Sequence, residues 1–188
     1  MNTTQKITTK TLVAMALMIA LSFVGSYLRI FGTIAFDSLP GFLSALLLGP
    51  IHGAAIGFLG HFFTALNAGF PLSFPLHMVI AVTMAITMFG FGMTYKMLTG
   101  RLAERLSERL YRRIPEAVAF IISGIVGIIL NAPFSLACSI GALWIMAGRE
   151  VALGLLMLLP ALLLASVANI TLAIIIFKYL RKVWNKIS

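Results

Sequence analysis

The sequence predicts an all-α integral membrane protein: a six-helix bundle with both termini cytoplasmic and a short amphipathic cytoplasmic helix between spans four and five. Three observations carry this. The chain is 61% apolar and only 10% charged, with mean hydropathy +1.06, whereas a soluble domain is about half apolar and roughly a quarter charged. Its apolar stretches, such as "LVAMALMIALSFVG" and "LGLLMLLPALLLASVANITLAIIIF", are continuous, while barrel strands alternate apolar and polar residues over about ten positions. Finally, twelve of the 14 Lys and Arg residues fall on one side of a six-span topology. These run from Lys6 and Lys10 through Lys96, Arg101 and Arg105 to Arg181, Lys182 and Lys186; only Arg29 and Arg149 fall opposite. Cations concentrate on the cytoplasmic side. The net charge of +9 is therefore topology and lipid attraction rather than a nucleic-acid footprint, and no aromatic-interleaved basic patch argues otherwise.

The 188 residues read as one domain, 1–188, with spans near 10–28, 36–49, 51–67, 76–97, 117–139 and 155–180. The first could pass for a secretory signal, but removing it would leave an odd number of spans. The second opens at "FDSLP", where Asp37 or Ser38 can cap the free amides of the next helix; Asp37 is equally a candidate ligand contact. Gly49-Pro50 makes a tight turn into the third span. Spans two and three fall short of the ~20 residues of a perpendicular crossing, so this hairpin is tilted or shielded. Between spans four and five, "GRLAERLSERLYRRI" repeats Leu102, Leu106 and Leu110 on one stripe, with Glu108 and Arg112 paired at i,i+4. That helix lies on anionic lipid or docks a partner.

Polar residues at membrane depth face a bundle interior or cavity. Span three aligns Gly49, Gly53, Gly57, His61 and Ala65; span four aligns His77, Ala81 and Ala85. Span five aligns Ser123, Gly127, Asn131, Ser135 and Ser139, and span six Ala161, Ala165, Asn169 and Ala173. Such rows permit close helix packing with each polar group bonded to a neighbour. Asn131 and Asn169, both toward the extracellular half, point further, to a substrate site. Pro133 lies two residues beyond Asn131 and would free the Ile129 carbonyl, as in the broken helices of transporters. Trp144 reads as an interfacial anchor able to stack on a ligand at a pocket mouth.

Catalytic machinery is missing from the sequence. There is no GxxxxGK[ST] and no HExxH, and His52, His61 and His77 are scattered. Cys138, the single cysteine, excludes an internal disulfide. An intramembrane hydrolase built on Ser123 or Ser135 would need a base beside the serine, and none is evident. No cofactor is called for.

"RIFGTIAFDSLPGFLSALLLGPIHGAAIGFLGHFFTAL" resembles the signature segment of the S components of energy-coupling factor (ECF) transporters. The resemblance rests on Phe31-Gly32, Pro40, Gly49-Pro50 and Gly53, Gly57 and Gly60, and on Ala16 and Ala20, which match an AxxxA motif in the first helix. It implies a membrane subunit that captures a vitamin or precursor and works with a transmembrane coupling subunit and, through it, two cytoplasmic ATPases. Ala16 and Ala20 would meet that coupling subunit. Substrate contacts would come from His77, Asn131 and Asn169, with Asn67, Asp37 and Trp144 from the loop regions and Phe134 among the pocket aromatics. The whole sequence is most similar to members linked with cobalamin building blocks, which implies α-ribazole as first substrate. Riboflavin or a queuosine precursor is the alternative, and a non-transporting scaffold is the reading from another class.

Overall fold

Hydrocarbon offers the backbone no hydrogen bonds, so a chain this apolar must satisfy its amides within helices. The computed structural model describes residues 8–27, 29–30, 34–100 and 115–187, and helices account for nearly all of them. Helix α1 spans Thr9–Gly25, started by Thr8, whose hydroxyl accepts the Thr11 N–H at 3.2 Å. It is followed by a two-stranded antiparallel ribbon, β1 (Arg29–Ile30) and β2 (Ile34–Ala35), a small addition to the expected all-helical fold. The ribbon returns the chain onto the end of α1, where the Phe36 N–H donates to the Gly25 carbonyl at 3.2 Å. A side chain at Gly25 would lie 2.5 Å from the Phe36 carbonyl oxygen.

Helix α2 covers Leu39–Leu47. Its nine residues reach about 14 Å, against a hydrocarbon core about 30 Å thick. The expected second span over 36–49 is thus a short buried helix that does not cross alone. Ser38 stands at its N-cap without a side-chain capping bond, and Pro40 occupies its first turn. Gly49, at φ +100°, turns the chain into α3 (Pro50–Asn67), and α4 is Phe74–Thr99. Helix α5 (Glu116–Ile129) continues through a π turn at Leu130–Phe134 into α6 (Ser135–Ala147). Pro133 has no N–H to give, and the helix widens rather than breaks: the Ser135 N–H donates to the Leu130 carbonyl, five residues back. After Gly148 come α7 (Arg149–Leu153), a 3₁₀ turn (Gly154–Leu158) and α8 (Leu159–Ile187).

Counting the continuous pieces together, the described residues form six helical rods. Three are long and apolar enough to cross a membrane: Phe74–Thr99, Glu116–Ala147 and Arg149–Trp184; Thr9–Gly25 is apolar but shorter. The amphipathic helix expected over 101–114 lies outside the described residues, as does Phe31-Gly32.

Helix α3 packs against three neighbours, and each of its glycines faces a different one. A Cβ at Gly53 would come within 2.6 Å of Ala45 on α2, at Gly57 within 2.7 Å of Met88 on α4, and at Gly60 within 2.8 Å of Ser22 on α1. Small residues permit this approach where lipid, being as apolar as the side chains, supplies no hydrophobic drive. One core cluster gathers Phe42, Met88, Phe91, Phe120, Ile170 and Phe177, with Phe42 edge-on to Phe91 at 5.1 Å. At its far end Glu116 of α5 accepts from the Tyr95 hydroxyl of α4 at 2.8 Å and pairs with Arg181 of α8. A smaller cluster toward the other end of the bundle joins Leu76, Leu136 and Leu155.

Gly53→Ala is expected to force α2 off α3 and destabilise the fold by about 1–3 kcal/mol. Gly141→Ala, where an added Cβ meets nothing within 4 Å, should be neutral or slightly stabilising through helix propensity. Thermal melts of the two variants in detergent check both.

Candidate functional site

Between the two apolar clusters, α4, α5–α6 and α8 each carry polar residues at one level. Thr83 and Thr87 come from α4, Asn131 and Ser135 from the π turn and its edge, and Ser166 and Asn169 from α8; all are at most 9% exposed. Asn131 and Asn169 stand roughly three to four helical turns from the Glu116–Arg181 pair.

Some of these groups satisfy themselves on their own helix. Thr87 donates to the Thr83 carbonyl at 2.8 Å, Ser166 to the Leu162 carbonyl at 2.6 Å, and Asn169 to the Ala165 carbonyl at 2.8 Å. Others bridge helices. Thr83 gives its only hydroxyl proton to the Ile80 carbonyl at 2.9 Å, so the 2.7 Å contact with Ser135 has Ser135 as donor. The Asn131 amide NH₂ donates to the Ser166 hydroxyl at 2.8 Å. The Asn131 carbonyl oxygen is buried and accepts no hydrogen bond among the described residues; it is one of several such buried atoms, the hydroxyls of Ser44 and Thr64 among them. An unsatisfied acceptor in a low-dielectric interior costs about 1–3 kcal/mol.

A second polar group lies nearer the N-terminal end of α4. His77 is 8% exposed, and its Nδ1 is 3.3 Å from Nε2 of His61, the rings stacked at 5.5 Å. The Leu72 N–H donates to His77 Nε2 at 3.4 Å. His77 therefore carries its proton on Nδ1 and donates it to His61. Phe70 packs over this pair, 5.9 Å from the His77 ring and 5.1 Å from Phe74. Phe70 and Ser73 both hold positive φ, +50° and +89°, a backbone strain that costs of order 1–3 kcal/mol per residue.

The sequence-predicted residues thus divide. Asn131 joins Ser166 in the polar layer, one α8 turn from Asn169, and Phe134 is half-buried inside the π turn. His77 belongs to the histidine pair. Asn67, the exposed last residue of α3, donates to the Tyr27 hydroxyl at 2.6 Å. Asp37 is half-buried ahead of α2. Trp144 lies on the last turn of α6 rather than in a loop, and is 52% exposed. Ala16 and Ala20 are exposed on α1 and line a shallow apolar groove of about 560 Å³ with Phe23, Phe63 and Leu66. Sequence reasoning missed Thr83 and Ser166 as layer members and His61 as the partner of His77. The repeat of Thr83, Thr87 and Thr94 on α4 was the available signal for the first.

The serines considered for catalysis are engaged otherwise: Ser123 donates to the Ala119 carbonyl at 2.7 Å and Ser135 to Thr83. No group of three or more His, Cys, Asp or Glu side chains able to hold a metal occurs among the described residues. Among the described residues, helices that bury small polar groups against one another define a helical membrane protein with a polar layer in its interior. The profile of the family described as "ECF transporter, substrate-specific component" matches residues 10–183, and the chain belongs to that family. It is accordingly a substrate-binding subunit of a membrane transporter, not an enzyme, with a small-molecule substrate and the transmembrane and ATPase subunits of an ECF module as partners. Comparison with curated proteins and with solved structures gave no match.

A double-mutant cycle on Thr83→Val and Ser135→Ala, read by thermal unfolding in detergent, should give a coupling of about 0.6 kcal/mol and no more than about 1.7 kcal/mol, as for interhelical bonds in other membrane proteins. Zero coupling would remove the bond from the architecture.

Proposed function

We infer that this subunit captures a neutral, flat micronutrient or precursor in the polar layer, entering from the side of the membrane opposite its termini. The observation that carries the reading is the buried Asn131 carbonyl oxygen: its amide is oriented by Ser166, yet it accepts nothing. A substrate N–H or O–H placed there would satisfy it. Asn169 and His77 supply further polar contacts, and Phe134 and Phe70 supply faces for a ring. Asn67, Asp37 and Trp144, near the outer ends of the helices, form the approach to the pocket. Few charges are on hand, which favours a nucleoside or heterocycle over a dianion, and α-ribazole is the first compound to test, ahead of riboflavin and queuosine precursors.

The charge asymmetry supports cytoplasmic termini, and with them a place in a bacterial cytoplasmic membrane. Exposed Ala16 and Ala20 support a seat for the coupling subunit, because small residues on an open helix face let another helix approach closely. Capture would then precede reorientation of the subunit on its partner, with ATP spent by the two cytoplasmic ATPases.

A calorimetric titration of the purified chain against vitamins and precursors, α-ribazole included, is expected to find one compound bound one-to-one in the submicromolar range. Asn131→Ala should weaken that binding by about 1–3 kcal/mol, the value of a lost buried hydrogen bond. Ala16→Leu or Ala20→Leu should leave binding intact and impair uptake in cells that hold the full module. Equal loss of binding in both classes of variant would defeat the division into a pocket and a coupling face.

A further inference from the structure

The polar layer has a direction, because the hydroxyl protons it could offer a guest are already spent inside the protein. Thr83 gives its proton to the Ile80 carbonyl, Thr87 to the Thr83 carbonyl and Ser139 to the Ser135 carbonyl. Ser135 gives its own to the Thr83 hydroxyl oxygen, 2.7 Å away. Ser166, fully buried, gives its proton to the Leu162 carbonyl at 2.6 Å. A helix presents such a carbonyl one turn back to each serine or threonine. Most of this polarity is therefore set by the backbone, which cannot turn over as a side chain can.

Ser166 passes this direction on to Asn131. With its only proton committed to Leu162, the Ser166 oxygen can only accept, and the Asn131 NH₂ meets it at 2.8 Å. The opposite amide orientation would set the Asn131 carbonyl oxygen against the Ser166 oxygen, two acceptors with no proton between them. Asn131 is 9% exposed, so bulk water does not relieve that conflict. The amide is held with its carbonyl oxygen turned away from Ser166, and that oxygen accepts no hydrogen bond among the described residues. We propose that Ser166 is a positioning residue that makes the site selective for hydrogen-bond donors. Through Asn131 it favours a substrate with a ring N–H or a hydroxyl at the carbonyl oxygen over an isostere with an acceptor there. This rests on the reading of Asn131 as a substrate contact; Ser166 acts only by fixing which end of the amide faces the substrate. Sites built around a buried polar group reject the analogue that cannot pair with it far more sharply than apolar pockets reject a change of shape.

The probes are benzimidazole and benzoxazole, flat compounds of one shape in which a ring N–H is exchanged for a ring oxygen. Their affinities for the full chain in detergent are read by ligand-detected NMR in alkaline buffer, where both are uncharged. The unmodified chain is expected to prefer benzimidazole about tenfold, the value of one buried hydrogen bond. Ser166→Ala leaves the amide able to turn over, and the preference should fall to about twofold or less as benzoxazole gains what benzimidazole loses. Ser166→Thr keeps a hydroxyl that can donate one turn back and should restore the preference. Unchanged helical circular dichroism shows that a variant is folded; where the alanine variant is not, Ser166→Cys, close in size but a poor acceptor, takes its place. A purely structural role for Ser166 would weaken both compounds equally and leave their ratio alone. That result, with the ratio still lost in Asn131→Ala, overturns the proposal and leaves Asn131 as the contact. A ratio that survives Asn131→Ala, or no binding of either compound, removes Asn131 from the substrate site and the proposal with it.

Discussion

Every polar group buried in this bundle must find its partner inside the protein, because neither lipid nor bulk water reaches it. That constraint organises the layer at Thr83, Asn131, Ser135, Ser166 and Asn169. Where a hydroxyl can return its proton to a carbonyl one turn back, as Thr87, Ser123 and Ser139 do, it adds no specificity between helices. Where a hydroxyl oxygen also accepts from a side chain of another helix, helices become tied at fixed heights, Thr83 to Ser135 and Ser166 to Asn131. The apolar clusters on either side tolerate sliding far better than the layer does. The layer therefore sets the register of α4, α5–α6 and α8, and an acceptor left open within it is costly enough to require an explanation.

The rest of the bundle is assembled by other means. Helices α1 and α2 meet α3 through glycine and small side chains, with contact distances set by backbone rather than by polar bonds. At one end of the bundle, Glu116 draws Tyr95 and Arg181 together while Lys178 and Arg181 lie over the rings of Phe120 and Phe177. Both charged side chains of the pair remain 38% exposed, so this junction is worth little in free energy; it fixes geometry more than it adds stability. One half of the molecule is thus pinned at two levels, and the other rests on a close-packed seam beside the exposed face of Ala16 and Ala20.

Much of this was legible in the sequence, for definite reasons. Hydropathy and continuous apolar runs give a membrane helical bundle because they record the solvent. The rows of small residues on spans three, five and six mark the buried faces, since Gly53, Gly57, Ser123, Gly127 and Ala173 are all buried. That span two is short was legible, but not that it narrows from 36–49 to Leu39–Leu47, because its flanks are as apolar as a crossing helix and only the tertiary packing limits it. Nor were the pairings: Asn131 was visible as a candidate, but its bond to Ser166 depends on how two helices 35 residues apart in sequence are aligned. The closeness of His61 to His77 was hidden for the same reason.

The π turn at Leu130–Phe134 acts as a phase correction. In a straight α-helix, steps of four residues overrun a full turn by about 40°, so the row Ser123, Gly127, Asn131, Ser135, Ser139 would wind about 160° around its axis. Its last members would then look into lipid. The wider turn takes up more residues per revolution and rotates the downstream helix backward, which brings Ser135 and Ser139 to face the same interior as Ser123. All five positions of the row are buried. Proline, usually an interruption, here keeps a long helix in step with a straight seam.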